Sequence, residues 1–263
     1  MAPGRHSPVV VVLPARHGST RFPGKPLADL LGRPLIRHAY EAVAKVPGVD
    51  RVAVATDDMR IADAVTGFGG EAVLTTGAHA TGTDRLAEVA EKIDADLYVN
   101  VQGDEILSSG DMLVPLIETF RADPALMVGT LCHALDDLAD LANPNVVKVV
   151  LDHAGFALYF SRAPIPFVRE PGAHLAVPPG VFFRHLGIYA YRKAALMAFP
   201  GLPESPLEQM EKLEQLRFLQ AGYRIRVLPT PHTAHRVDTP ADLAAVAAVL
   251  EGAQGAGRQA GGG

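Results

Sequence analysis

The chain has 263 residues, 48% of them hydrophobic and 20% charged, enough apolar material to build one large α/β core of ordinary globular balance. Its formal net charge of −5, with no run of like charges, argues against duplex nucleic acid as a partner, because that affinity rests on clustered Lys and Arg. The one cysteine, Cys132, excludes an intrachain disulfide. No apolar run reaches the ~18 residues of a membrane span, and "MAPGRHSP" lacks a signal peptide's apolar core, so a cytoplasmic protein is expected. The Gly- and Ala-rich ends, residues 1–7 and 251–263, are expected to be disordered tails around a single domain at 8–250.

The first element is "VVVVL" at 9–13, a continuous apolar run of the kind found in a strand buried on both faces. It runs into "PARHGSTRFPGKPL", a turn carrying Arg16, Arg21 and Lys25. This stretch resembles a phosphate-binding loop but fails the Walker A spacing. Five residues separate Gly18 from Gly24, and Pro26 follows Lys25 where a magnesium-binding Ser or Thr is required. "LIRHAYEAVAKV" then has helical spacing. "RVAVAT" reads as a strand, "MRIADAVTGFG" as a helix closed by glycine and "EAVLT" as a short strand. "DRLAEVAEKI" is a helix, "DLYVNVQGD" a strand and "DMLVPLIETFR" a helix.

Such alternation implies right-handed βαβ crossovers and a doubly wound α/β sheet, with ligands beyond the carboxyl ends of its strands. The opening loop, "ATDD" and "QGDE" all fall at such ends. The second half changes character. "NVVKVVLD", "FALYFSR" and "FRHLGIYAYR" are β-branched or aromatic and separated by Gly and Pro, as antiparallel strands are, so the sheet is mixed and its second half forms an antiparallel lobe. "PLEQMEKLEQLRFLQAG" reads as one amphipathic helix ending before Gly222. "RIRVL" is a late strand. "VDTPADLAAVAAVL" opens the last helix, with Asp238 or Thr239 at its cap and Pro240 in its first turn.

The opening turn can aim backbone N–H groups at an anion while its basic residues add charge; the alternative is a solvated basic loop. Asp104, after an apolar strand, either caps the next helix or holds Mg²⁺ together with substrate phosphates, and Asp238 has the same two readings. A basic loop and strand-end carboxylates in one crevice suit phosphoryl or nucleotidyl transfer. His232 and His235 lack Cys or carboxylate partners at zinc spacing and read as loop histidines. Cys132 reads as a small buried hydrophobe, and the absence of G-x-S-x-G counts against a serine hydrolase.

At this point the residues match a known family. "PARHGSTRFPGKPL", "VATDD", "GTDRLAE", "VNVQGDE", "NPNVVKVVLD", "ALYFSRAPIPF", "RHLGIYAYR", "SPLEQMEKLEQLR" and "VDTPADL" occur in order between about residues 9 and 250. In this the chain resembles the 3-deoxy-D-manno-octulosonate (Kdo) cytidylyltransferases, or CMP-Kdo synthetases. The resemblance implies a Mg²⁺-dependent enzyme that passes the cytidylyl group of CTP to a small anionic acceptor and releases diphosphate. It also implies a Rossmann-like nucleotidyltransferase fold with a mixed α/β sheet, and a homodimer built largely through the antiparallel second half. Arg16, Ser19 and Lys25 look like the triphosphate cradle, with Pro14 and Ala15 beside the base or ribose. Gly82, Thr83 and Arg85 would complete the nucleotide pocket, and Asp104 and Asp238 would hold the metal. Gln102, Arg162, His185, Tyr189, Glu214 and Gln215 resemble the acceptor pocket. Arg16, Lys25 and Asp104 are the implied catalytic residues.

Some positions depart from the family. Its usual "QGDEP" is here Glu105 followed by Ile106, and proline would have fixed φ at that turn. Its Arg-x-Asp-His before "SGTDR" is replaced by "TTGAHATGTDR", with Gly77, Ala78 and Thr81. "REPGAHLAVPPG" at 169–180 matches nothing in it. Triphosphate and metal residues thus persist while neighbours of the acceptor drift. The expectation is a small phosphonate acceptor, such as phosphonoformate, in phosphonate or phosphinate antibiotic biosynthesis. The first alternative is Kdo itself, for lipopolysaccharide; the second is a non-catalytic CTP sensor.

Overall fold

The computed structural model describes residues 8–18, 21–77, 79, 81–135, 137–169 and 180–260. The first half contains β1 (Val9–Pro14), β2 (Asp29–Leu30), β3 (Arg33–Pro34), α1 (Leu35–Val43), β4 (Arg51–Thr56), α2 (Met59–Gly67), β5 (Ala72–Leu74), α3 (Gly82–Lys92), β6 (Leu97–Asn100), β7 (Glu105–Leu107) and α4 (Leu113–Ala122). The second contains β8 (Val128–Ala134), α5 (Leu138–Ala142), β9 (Lys148–Leu151), β10 (Ala157–Ser161), β11 (Phe183–Arg192), α6 (Lys193–Ala198), α7 (Pro206–Glu211), α8 (Gln215–Gln220), β12 (Ile225–Pro229), β13 (Ala234–Arg236) and α9 (Pro240–Ala260).

The main sheet is mixed. β6, β1, β4 and β5 lie side by side and parallel, each reached through a helical crossover. β11 is antiparallel to β6 along residues 189–192 and to β9 at 183–184, while β8 pairs its opposite edge from end to end. One edge of β11 therefore changes partner partway along, and β6 and β9 diverge from it as a fork. The register against β8 slips between Leu186 and Tyr189, at Gly187, which marks a bulge at that fork. β8 continues the sheet to β12 in parallel, and β9 continues it to β10.

β1 is buried on both faces because the sheet is covered on both. Val9, Val11 and Leu13 pack with Leu35, Ile36 and Val43 of α1, Ile61 and Val65 of α2 and Leu116 of α4. Val10 and Val12 pack on the other side with Leu86 and Val89 of α3 and Leu196 of α6. This is the period-two alternation of a strand between two helical layers.

Four features differ from the sequence reading. The expected single helix over "PLEQMEKLEQLRFLQAG" is two, α7 and α8, separated at Lys212 by left-handed backbone (φ 53, ψ 48). Its apolar stripe does not demand continuity: Leu213, Leu216 and Phe218 are buried, whereas Met210 is 82% exposed. A buried bidentate pair instead folds the halves together, Arg217 Nε and one terminal nitrogen donating to the Glu208 carboxylate at 2.7 and 2.6 Å. β8, over "VGTLCHA", had no assigned element, and it sits in the interior of the sheet with Cys132 fully buried. The last helix does not stop near Leu250 but runs to Ala260, since alanine sustains it and each glycine within costs only about 1 kcal/mol. His235 is in β13, paired across from Ile106 of β7, instead of in a loop.

Candidate active site

A cavity of about 910 Å³ opens at the carboxyl ends of β1 and β6 and spreads across the fork. The strand ends meet closely there. The Gly103 N–H donates to Pro14 O at 3.2 Å, and a Cβ on Gly103 would lie 2.8 Å from that oxygen, so only glycine lets the two loops approach. Pro14 and Ala15 line the cavity as β1 ends, followed by exposed Arg16. Gly24, at φ 71, closes the loop by donating its N–H to His17 O at 2.9 Å. Its N–H and that of Lys25 are both spent within the loop, so the anion-facing charge here comes from side chains. Ser19 lies outside the described residues.

Lys25 turns inward from a single 3-10 turn, Lys25–Leu27, and is 6% exposed. Its ammonium donates to the Asp104 carboxylate and, at 3.3 Å, to Asp238 Oδ1. Arg21 lies 3.0 Å and Arg236 3.3 Å from the Asp238 carboxylate. Neither acid is a cap. Ser109 caps the short turn before α4. Thr239 and Asp242 bond reciprocally at the start of α9, Asp242 Oδ2 accepting from the Thr239 N–H at 2.8 Å and Thr239 Oγ1 from the Asp242 N–H at 3.2 Å. Freed from capping, two carboxylates from distant segments converge on one ammonium. This is a dense charge cluster, of a kind suited to a divalent cation and a polyphosphate.

Gly82 begins α3, and a Cβ there would lie 3.9 Å from both Gln102 Nε2 and Glu214 Oε1, which places both side chains beside it. Glu214 accepts from the Thr83 N–H at 3.4 Å; burial raises its pKa. Two expected nucleotide contacts have partners within the protein. Thr83 is fully buried with its hydroxyl 3.4 Å from Tyr191 Oη, away from the cavity lining. Arg85 lines the cavity, but its guanidinium donates to Thr75 Oγ1 at 2.5 Å and Asp57 Oδ2 at 3.2 Å, tying α3 to the ends of β4 and β5.

The fork supplies the rest. His185 and Tyr189, on β11 either side of the bulge, face the cavity in a ladder of rings, with centroids 5.0 Å from Phe160 to His185 and 5.2 Å from His185 to Tyr189. Burial pushes the His185 pKa down to about 3, so the ring is neutral and hydrogen-bonds Thr130 Oγ1 through Nε2 at 3.0 Å. Arg162 does not extend freely into the cavity. Its Nε donates to Glu211 O at 2.7 Å and its Nη1 to Pro144 O at 2.9 Å, bracing the wall between β10 and α7. Gln215 lines the cavity from the first turn of α8.

Four buried atoms lack any hydrogen-bond partner among the described residues although their side chains line the cavity: Tyr189 Oη, Gln215 Nε2, Glu105 Oε2 and Arg184 Nε. Buried polar atoms are nearly always satisfied, so a cluster of orphans marks where a polar ligand completes the network. Glu105 was not singled out by sequence reasoning; its only signal was adjacency to Asp104. Burial and the neighbouring Asp104 carboxylate raise its pKa to about 7. Lys148 was also missed, though a lysine within "NVVKVV" is itself a signal. Fully buried, it donates to Asn143 O at 2.9 Å and to Val146 O and Arg162 O, both at 2.6 Å, holding the cavity wall.

Comparison with known proteins agrees with this geometry. Residues 10–225 match the family model described as cytidylyltransferase. The 3-deoxy-manno-octulosonate cytidylyltransferase of Syntrophotalea carbinolica is 55% identical over 247 residues, covering 93% of this chain and 99% of that protein. The Escherichia coli protein of the same name is 48% identical over 244 residues, covering 93% and 96%. The structure of CMP:2-keto-3-deoxy-manno-octonic acid synthetase complexed with CTP superposes with a TM-score of 0.87 at 48% identity, covering 93% of this chain and 99% of that one.

Proposed function

The chain belongs to the 3-deoxy-manno-octulosonate cytidylyltransferase family and is a nucleotidyltransferase; on that premise we propose that it takes CTP and Kdo to CMP-Kdo and diphosphate with Mg²⁺ in the described cavity. The observation that carries Kdo over a phosphonate is where the departures fall. Ile106 is 5% exposed, packs into the core and pairs with His235 in the β7–β13 ladder; it does not line the cavity. Strand pairing replaces the turn that proline would have made. Gly77 is likewise off the cavity, its missing Cβ facing Asp57 at 3.6 Å, and Ala78 lies outside the described residues. Gln102, Arg162, His185, Tyr189, Glu214 and Gln215 all line the cavity. Of the described departures Thr81 alone lines the cavity, so the drift that pointed to phosphonoformate leaves those six side chains in place, and the relatives of highest identity above carry 3-deoxy-manno-octulosonate in their names.

The residues fit the implied metal: two carboxylates, uncommitted to caps, beside a site for phosphates is how Mg²⁺ is usually held. Asp104 and Asp238 would hold it, and it would supply neutralisation of charge on the reacting phosphate. In the reaction a hydroxyl oxygen of the acceptor bonds to the α-phosphorus of CTP in line with the bridging oxygen to the β-phosphate. That bond breaks, its electron pair departs with diphosphate, and the hydroxyl proton is lost to solvent. Such chemistry asks the protein for positioning and charge stabilisation. Arg16, Arg21 and Lys25 supply cations to the triphosphate. Gln102, Tyr189, Gln215 and neutral His185 fix the acceptor by hydrogen bonds, while Arg162 braces the wall behind them. A homodimer through the antiparallel half is supported by Leu158 of edge strand β10, 62% exposed, and Phe167, 84% exposed.

Diphosphate release tests the reading. Release that requires CTP, Mg²⁺ and Kdo together supports it; CTP binding with no release under any acceptor identifies a sensor instead.

A further inference from the structure

Lys212 separates α7 from α8 with left-handed backbone, and among the described residues only Leu31 shares that conformation without being glycine. A side chain disfavours it, and such strain persists where the surroundings impose it, most often at functional sites. The surroundings impose it here. Arg162 donates from Nε to Glu211 O at 2.7 Å and from Nη2 to Lys212 O at 3.5 Å, gripping two successive carbonyls at the break. The Glu211 carboxylate is held in turn by Ser161 Oγ at 2.5 Å and by the Arg162 N–H at 2.9 Å.

Glycine would satisfy this turn without strain, yet the position carries a lysine that lines the cavity. Its ammonium has no partner among the described residues. The nearby acids are committed: Glu208 to Arg217, Glu211 to Ser161 and Arg162, and Glu214 to the start of α3. A strained backbone at the break in an otherwise helical stretch and an unpaired cation on the cavity are two separate observations with one economical explanation.

We propose that Lys212 is an acceptor-binding residue, held by its left-handed turn so that its ammonium pairs with the carboxylate of the sugar-acid acceptor. The inference rests on the function proposed above and adds a residue to it. A cation paired with a carboxylate makes a stronger bond than a neutral donor, so its loss falls on acceptor affinity and leaves the nucleotide side unaffected.

Three variants separate charge from strain. Lys212→Gly removes both, and raises Tm while raising the KM for Kdo about tenfold or more and leaving the KM for CTP within about twofold. Lys212→Met removes the charge and keeps the strain, giving the same rise in KM with Tm near wild type. Lys212→Arg keeps the charge and retains a KM for Kdo within about threefold of wild type. An unchanged KM for Kdo in the Gly and Met variants, or an equal rise in the KM for CTP, overturns the inference while leaving the proposed function standing. Wild-type protein that releases no diphosphate from CTP and Kdo overturns both.

Discussion

Lys25 and Asp104, 79 positions apart in the chain, are joined through their side chains in the cavity, and Asp238, 213 positions from Lys25, meets the same ammonium at 3.3 Å. One cation thus holds the two acids that the family resemblance assigns to the metal. A dication that binds these oxygens competes with Lys25 for them, which leaves the lysine available to a triphosphate.

Asp104→Asn should keep the fold, because the Asp104 backbone carbonyl still accepts from the Val237 N–H, and should lose about a hundredfold or more in turnover. Steady-state diphosphate release across a Mg²⁺ titration checks this. Near wild-type turnover with an unchanged metal requirement removes Asp104 from the metal site.

Lys25→Ala removes the buried counter-charge shared by the two carboxylates and leaves the exposed Arg236, 4.0 Å from Asp104 and 3.3 Å from Asp238, so it should lower stability and weaken CTP binding by about 1.5–3 kcal/mol. Added Mg²⁺ should restore Tm more in the variant than in the wild type. Calorimetric titration with CTP and Mg²⁺ decides: a solvated basic loop predicts a stability change within about ±0.5 kcal/mol and no change for CTP.

Tyr189→Phe deletes a buried hydroxyl that no described residue satisfies. Removing an unsatisfied polar atom is neutral or stabilising, so Tm should hold or rise while the KM for the acceptor rises. A fall in Tm with no kinetic change would show the hydroxyl to be structural.

His185 gives a pH signature. Its folded pKa of about 3 lies below the ordinary 6.5, so between those values the unfolded chain binds a proton that the folded protein does not. Stability from this group is present above pH 6.5 and is lost as pH falls, by about 1.5 kcal/mol on going from pH 6.5 to 5. His185→Gln should remove that part of the slope in urea melts at the two pH values. An identical slope in both proteins places the pH dependence elsewhere.

The parallel half of the fold was legible because each segment carries one periodicity: the apolar run of β1 and the helical spacing of α1 and of "DRLAEVAEKI" in α3. Asp104, Lys25 and Asp238 were legible as a set only through the family motifs, since no local pattern joins residues so far apart. The break at Lys212 was not legible. The sequence on either side has helical spacing, and the cause of the break is Arg162, just past β10, together with a buried Glu208–Arg217 pair. Thr83 and Arg85 were assigned to the nucleotide from their motif, but burial directs one to Tyr191 and the other to Asp57. The phosphonate expectation rested on a related reading: a motif shows that Ile106 and Gly77 have changed but not that both side-chain positions lie off the cavity.

The most direct measurement is kcat/KM for Kdo and for phosphonoformate with the same CTP and Mg²⁺. Because cavity groups arranged for a hydroxyl-bearing sugar acid are left unpaired by a small phosphonate, the account predicts a preference for Kdo of about a hundredfold or more. A preference for phosphonoformate, or equal use of the two, would contradict it.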